Sequence, residues 1–67
     1  MKQHQQRVVT EKKELDIKLE ALVKFIEESL VYAGLPAPEQ ERLVRQRWFM
    51  NGYSNVLGER IAEFETE

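Results

Sequence analysis

The sequence predicts an all-α fold: an antiparallel two-helix hairpin that self-associates into a helical bundle. Apolar residues recur at helical spacing in both halves of the chain. One segment rich in Gly and Pro separates the halves. The 67 residues are expected to form a single domain with a small core. Such a domain needs a further source of stability, such as a disulfide, a metal ion or a second copy of the chain.

Helix one is expected at about 4–33. After Leu15 its apolar stripe keeps spacings of 4, 3, 4 and 4 residues, which hold it on one helical face. The stripe consists of Val8, Leu15, Leu19, Leu22, Ile26 and Leu30. Gly34 suits a left-handed C-cap, and Pro36 cannot continue the helix. The sequence therefore predicts a helix end at this point and a loop over 34–37.

Helix two is expected at about 38–65, because Pro38 suits a first helical turn. Its stripe consists of Leu43, Met50, Leu57, Ile61 and Phe64. The pair Asn51-Gly52 either breaks this helix or lies within a continuous one. The stripe stays in phase across both Gly52 and Gly58, which favours the continuous helix. The glycines would then permit close approach of a second backbone or a ligand.

The chain has no cysteine and one histidine, His4. Neither a disulfide framework nor a zinc site can be assembled from these residues, and no cofactor is expected. The remaining source of stability is association with further copies, as a dimer or a higher homo-oligomer.

Ten Lys and Arg residues against twelve Asp and Glu residues give a net charge of -2, which disfavours nucleic acid as a partner. The apolar runs are short and the N-terminus is polar, so we expect no membrane span and no signal peptide. These features predict a cytoplasmic protein.

Each helix carries more apolar residues than one seam can bury, and the surplus predicts an interface. The expected interface residues are Phe25, Trp48, Phe49, Tyr53 and Val56. Aromatic side chains of this kind often anchor protein interfaces. They also stack on nucleobases, and Arg45 and Arg47 lie close enough in sequence to neutralise a phosphate.

A hairpin that turns near residue 36 brings residues 4–11 close to residues 57–66. This polar end is either solvated, with Arg7 and Arg60 paired to Glu63 and Glu11, or an anion-binding pocket. In such a pocket, arginine forks would hold phosphate and glutamine amides would contact a base. The candidate ligand-binding residues are His4, Gln5, Gln6, Arg7, Glu11, Tyr53 and Arg60.

Catalysis is not expected, because no hydroxyl nucleophile has an evident base. The candidate hydroxyls belong to Thr10, Ser29, Ser54 and Thr66. His4 lies in a segment that is expected to fray. The sequence therefore predicts a protein without enzymatic activity.

Several segments together resemble a family of small phage and prophage proteins whose usual label comes from an open reading frame of a crAss-like phage. The matching segments are His4-Gln5-Gln6-Arg7-Val8-Val9, Glu11-Lys12, Glu14-Leu15, Phe25-Ile26-Glu27, Tyr53-Ser54, Val56-Leu57 and Arg60-Ile61. The resemblance implies a phage-encoded accessory protein that acts in the cytoplasm of the infected bacterium.

In size and helical character the chain is also similar to phage sponge proteins that sequester nucleotide messengers of bacterial immunity, such as those countering CBASS and Thoeris. The resemblance implies a counter-defence protein that binds and withholds a host signal, such as a cyclic oligonucleotide. The alternative is an inhibitor that binds a host defence or replication enzyme through the aromatic residues.

Overall fold

The computed structural model describes residues 1–66 and confirms the all-helical class, with no strand among these residues. Helix α1 spans Gln3–Glu28, α2 is the single turn Leu30–Ala33, and α3 spans Ala37–Ala62. A 3₁₀ turn follows at Phe64–Thr66. Within this part of the chain, no helix combines the length and the apolar character that crossing a bilayer requires.

Helices α1 and α3 lie side by side and run in opposite directions, so that the start of α1 contacts the end of α3. Gln5 is hydrogen-bonded to Phe64, and Lys12 is hydrogen-bonded to Ser54. At the other end, Gln40 Nε2 donates to the Tyr32 carbonyl oxygen at 2.9 Å. The result is a rod of 47 × 15 × 14 Å.

The buried core is small, as the chain length predicts. Val8 and Leu57 are the buried apolar residues of the described part, and Leu57 is only 1% exposed. Gln5 and Ser54 are buried beside them. The remaining residues of the two predicted stripes are half-buried, with the exception of Leu30. Two helices alone therefore cover their apolar stripes incompletely.

Helix one is interrupted at Ser29, which differs from the single helix predicted over 4–33. The Ser29 backbone is extended, with φ -85° and ψ 129°. Its hydroxyl accepts a hydrogen bond from the Val31 backbone N–H at 3.1 Å, which caps a new turn. This change of direction removes Leu30 from the stripe. The prediction that Leu30 faces the core was wrong, since Leu30 is 90% exposed.

The loop also differs from the predicted geometry at Gly34. This residue has φ -90° and ψ -2°, so the predicted left-handed cap was wrong. The Gly34 N–H donates to the Leu30 and Val31 carbonyl oxygens at 3.2 and 3.1 Å, and closes the short turn without positive φ. Pro36 is the N-cap residue of α3, and Pro38 lies in its first turn.

Helix α3 runs continuously through Asn51 and Gly52. It ends at Ala62, three residues before the boundary predicted from the sequence, and the 3₁₀ turn takes its place. A side-chain Cβ at Gly52 would meet no atom within 4 Å, whereas one at Gly58 would lie 3.4 Å from Lys12 Cε.

We expect Gly52→Ala to stabilise the fold by about 1 kcal/mol, because alanine removes the helix penalty of glycine. Gly58→Ala should gain a similar amount, because its methyl group would make an ordinary van der Waals contact with Lys12 Cε at 3.4 Å. Urea denaturation at one fixed protein concentration measures both. A loss of stability in Gly52→Ala would mean that a second backbone or a ligand occupies the space beside Gly52.

Candidate functional site

Gln5, at the predicted polar end, stabilises the fold through its side-chain amide. It is buried, and its Nε2 donates to the Phe64 carbonyl oxygen at 3.4 Å. Its Oε1 accepts the Lys2 backbone N–H at 3.0 Å. Both ends of the amide thus hold the chain together, and α1 is regular from Gln3 onwards. The expectation of a frayed segment around His4 was therefore wrong.

The other predicted ligand-binding residues do not line one pocket. Gln6, Arg7 and Glu11 line a pocket of about 350 Å³ formed by α1 alone. His4 and Arg60 line a separate pocket of about 380 Å³. Tyr53 lines neither pocket and is exposed on α3. The predicted polar end is thus divided between two surfaces.

The arginines divide into paired and unpaired groups. Arg42 Nε lies 2.7 Å from Glu39 Oε1, and Arg45 Nε lies 4.0 Å from Glu41 Oε1. Among residues 1–66, three arginines form no ion pair, namely Arg7, Arg47 and Arg60. The alternative in which Arg7 and Arg60 pair with Glu63 and Glu11 is therefore not what the structure shows.

Arg47 lies in a groove between α1 and α3. The sequence pointed to this region only because Arg47 precedes the aromatic residue Trp48. The groove has a volume of about 460 Å³, within the usual range of ligand pockets. It is lined by Leu19, Val23, Glu27, Arg47, Trp48 and Asn51. The spacing of four residues between Arg47 and Asn51 is the sequence signal for this site, because it places both on one helical face.

A second cluster, which the sequence did not reveal, joins Lys12, Asp16 and Ser54. Lys12 Nζ donates to Asp16 Oδ2 at 2.8 Å and to Ser54 Oγ at 3.0 Å. Ser54 Oγ in turn donates to Asp16 Oδ1. The available signal was the position of Ser54, a polar residue three before Leu57 on the core stripe of α3.

This cluster gives Ser54 no activating base. Hydrogen bonds from Lys12 and then from Ser54 hold the pKa of the Asp16 carboxyl below its ordinary value. The Ser54 proton therefore points at a weak base, and Lys12 is engaged as an ammonium donor. The three side chains thus form a hydrogen-bonded link between α1 and α3, in which each polar group finds its hydrogen-bond partners within the cluster.

We expect the stabilisation by Asp16 to depend on pH. Because its pKa is lower in the folded protein, this contribution is fully present above the unfolded value near 3.8 and disappears as the pH falls through the folded pKa. Urea denaturation of the wild type and Asp16→Asn should show a clear difference at neutral pH and converging stabilities in acid. A difference that is constant across this range would contradict the assignment.

The predicted interface residues separate into one internal contact and an exposed surface. Phe25 is half-buried and packs edge-to-face on Tyr32, with ring centroids 6.0 Å apart. Trp48 and Phe49 are 73% and 75% exposed. Tyr53 and Val56 are also exposed on α3. Exposure of neighbouring large apolar side chains is typical of an interaction surface.

Metal ligation finds no support in the described residues. Residues 1–66 contain no cluster of three His, Cys, Asp or Glu side chains that could hold an ion. The enzymatic inactivity that the sequence predicts stays a prediction.

Comparison with known proteins gives one family match and one phage relative. The model of a family described as Sequestin matches residues 2–63. A protein of Enterobacteria phage T4, described as an uncharacterized 7.5 kDa protein in the denB-rIIB intergenic region, is 40% identical over 62 residues. This match covers 92% of the chain and 95% of the phage protein. No solved structure matches the chain.

These matches confirm the resemblance to small phage accessory proteins. They do not confirm the label derived from a crAss-like phage, and the similarity to nucleotide sponges stays a prediction. The family match spans the whole of both long helices. This chain therefore belongs to the Sequestin family.

Proposed function

We propose that this protein is a phage counter-defence protein that binds and withholds a host immune nucleotide, without chemical conversion of it. The family name suggests sequestration, and the T4 relative supports a phage origin. In this proposal the protein acts in the cytoplasm of the infected bacterium and needs no cofactor.

The observation that carries the proposal is the set of unpaired arginines. Arg7, Arg47 and Arg60 form no ion pair with residues 1–66, although the chain has more acidic than basic residues. A guanidinium group offers planar donors that match phosphate oxygens in pairs. Arginines left without carboxylate partners in an acidic protein are suited to an anionic ligand.

The proposed active form is a homo-oligomer of two-helix hairpins, a dimer or a higher assembly. Only Val8 and Leu57 are buried apolar residues within the described chain, while Trp48, Phe49 and Val56 face outwards. A second copy would cover Phe49 and Val56 and complete the core. Symmetry would also duplicate any ligand site, which suits a cyclic ligand with two equivalent halves.

Titration calorimetry tests the proposed ligand class. The panel contains cyclic dinucleotides, cyclic trinucleotides and the isomers of cyclic ADP-ribose. We expect saturable binding of at least one compound and recovery of that compound intact after the protein is denatured. Absence of heat with every compound above micromolar protein concentration would refute sequestration of a nucleotide. Recovery of a converted product would refute the absence of catalysis.

The alternative function is inhibition of a host defence or replication enzyme through Trp48, Phe49 and Tyr53. The exposure of Phe49 on the protein surface favours this candidate. Capture from bacterial lysate distinguishes it: a stoichiometric protein partner that is lost with Phe49→Ala, together with no nucleotide binding, would support inhibition.

A further inference from the structure

The groove that contains Arg47 combines three kinds of side chain that bind a nucleotide. Trp48 offers an aromatic face, Arg47 a guanidinium fork, and Glu27 and Asn51 offer hydrogen-bonding groups. We propose that this groove is the nucleotide site. The base stacks on Trp48, the phosphate binds Arg47, and Glu27 with Asn51 contacts the base edge. This inference rests on the proposed function and assigns that function to particular residues.

Charge favours this groove over the other two arginine pockets. Arg7 shares its pocket with Glu11 and Glu14, and Arg60 shares its pocket with Glu59 and Glu63. Each of those pockets has one arginine against two carboxylates. The groove of Arg47 has one carboxylate, from Glu27, and is therefore balanced. Among these three linings, a phosphate meets the fewest carboxylates beside Arg47.

The aromatic component also favours this groove. Trp48 lines it, whereas the pockets of Arg7 and Arg60 contain neither Trp nor Tyr. Leu19 and Val23 add apolar side chains from α1 to the same groove. Stacking of a base on an aromatic side chain contributes about 1–3 kcal/mol. Phe64, which lines the Arg60 pocket, is half-buried, whereas Trp48 is 73% exposed and offers a flat base the more accessible platform.

The neighbouring surface sets the orientation of the ligand. Past Asn51 the groove continues into a stretch lined by Glu20 and Glu28, with Lys24 paired to Glu20. Carboxylates accept hydrogen bonds from amino groups and repel phosphate. The phosphate therefore lies at Arg47, and the amino-bearing edge of the base points towards the carboxylates. Adenine presents its amino group to these carboxylates, whereas hypoxanthine presents an oxygen at that position and keeps only its N1–H as a donor on this edge.

Each groove contains one arginine, Arg47, which can bind one phosphate. A cyclic dinucleotide has two phosphates, so two copies of the chain would share one ligand. The expected stoichiometry is one cyclic dinucleotide per two chains.

The test uses cyclic diadenylate and cyclic diinosinate, with calorimetry for affinity and Trp48 fluorescence as a local signal. Trp48 is the single tryptophan of the chain, so a change in tryptophan emission reports on this groove. We expect cyclic diadenylate to quench Trp48 and to bind at least about tenfold more tightly than cyclic diinosinate. Glu27→Gln should reduce this preference.

Arg47→Gln and Trp48→Leu should each weaken cyclic diadenylate binding at least about tenfold. Two matched variants are controls. Arg45→Gln removes a neighbouring arginine that pairs with Glu41. Tyr32→Leu removes an aromatic side chain of α2 that does not line the groove. Both should bind cyclic diadenylate as the wild type does, and circular dichroism verifies that every variant is helical.

The outcomes separate the groove from the function. If Arg7→Gln or Arg60→Gln abolishes binding while Arg47→Gln and Trp48→Leu bind normally, the groove assignment is refuted and sequestration stands. If the wild type binds neither compound and no other nucleotide of the wider panel, the groove and the proposed function are both refuted.

Discussion

Leu57→Ala is expected to unfold most of the protein at ordinary temperatures. Leu57 is 1% exposed, and truncation of a buried leucine to alanine costs about 2–5 kcal/mol. A core of this size rarely supplies more than about 3–5 kcal/mol in total. Thermal denaturation followed by far-ultraviolet circular dichroism measures the loss.

Leu30→Ala is the matched control, with the same chemical change at a side chain that is 90% exposed. We expect its stability to lie within about 0.5 kcal/mol of the wild type. Equal losses in the two variants would contradict the core described here. They would place Leu30 in an interface with another copy.

A variant that carries both Phe49→Asp and Val56→Asp is expected to abolish the proposed self-association. The two residues are seven positions apart on α3 and therefore lie on one face of it. Both side chains are exposed, so the change leaves the contacts between α1 and α3 intact. Burial of each new carboxylate in an interface would cost several kcal/mol. Light scattering should give a mass near 8.0 kDa for the variant and a multiple of it for the wild type.

Asn55→Asp is the control for added charge. Asn55 precedes Val56 and, at about 100° per residue, points away from the face shared by Phe49 and Val56. We expect this variant to keep the wild-type mass. A wild type that remains at 8.0 kDa across all concentrations would remove the basis for the oligomer.

The helical class and α3 were predictable because their signals are local and repeated. The stripe from Leu43 to Phe64 stays in phase through both glycines, and the structure keeps one helix from Ala37 to Ala62. The break at Ser29 was not predictable in the same way. Serine is tolerated within helices, and its capping role depends on the backbone turning at that point. The stripe at Ile26 and Leu30 also appeared unbroken.

The candidate site was predicted less well than the fold, because it depends on which side chains of distant segments meet. The residues His4 to Arg7 are close in sequence, yet consecutive positions on a helix point in different directions. Gln5 therefore turns into the core, while Arg7 and Arg60 line separate pockets. Ser54 meets Lys12 and Asp16 only because α3 lies against α1 in this register.

The four buried side chains, those of Gln5, Val8, Ser54 and Leu57, determine where the chain tolerates engineering. All of them lie in the half of the rod that contains the chain termini. A deletion of the first eight residues would remove two of them. A peptide inserted between Leu35 and Pro36 would displace none. A reporter or affinity tag inserted in the connection after Gly34 therefore disturbs the buried side chains less than a truncation of the N-terminus does.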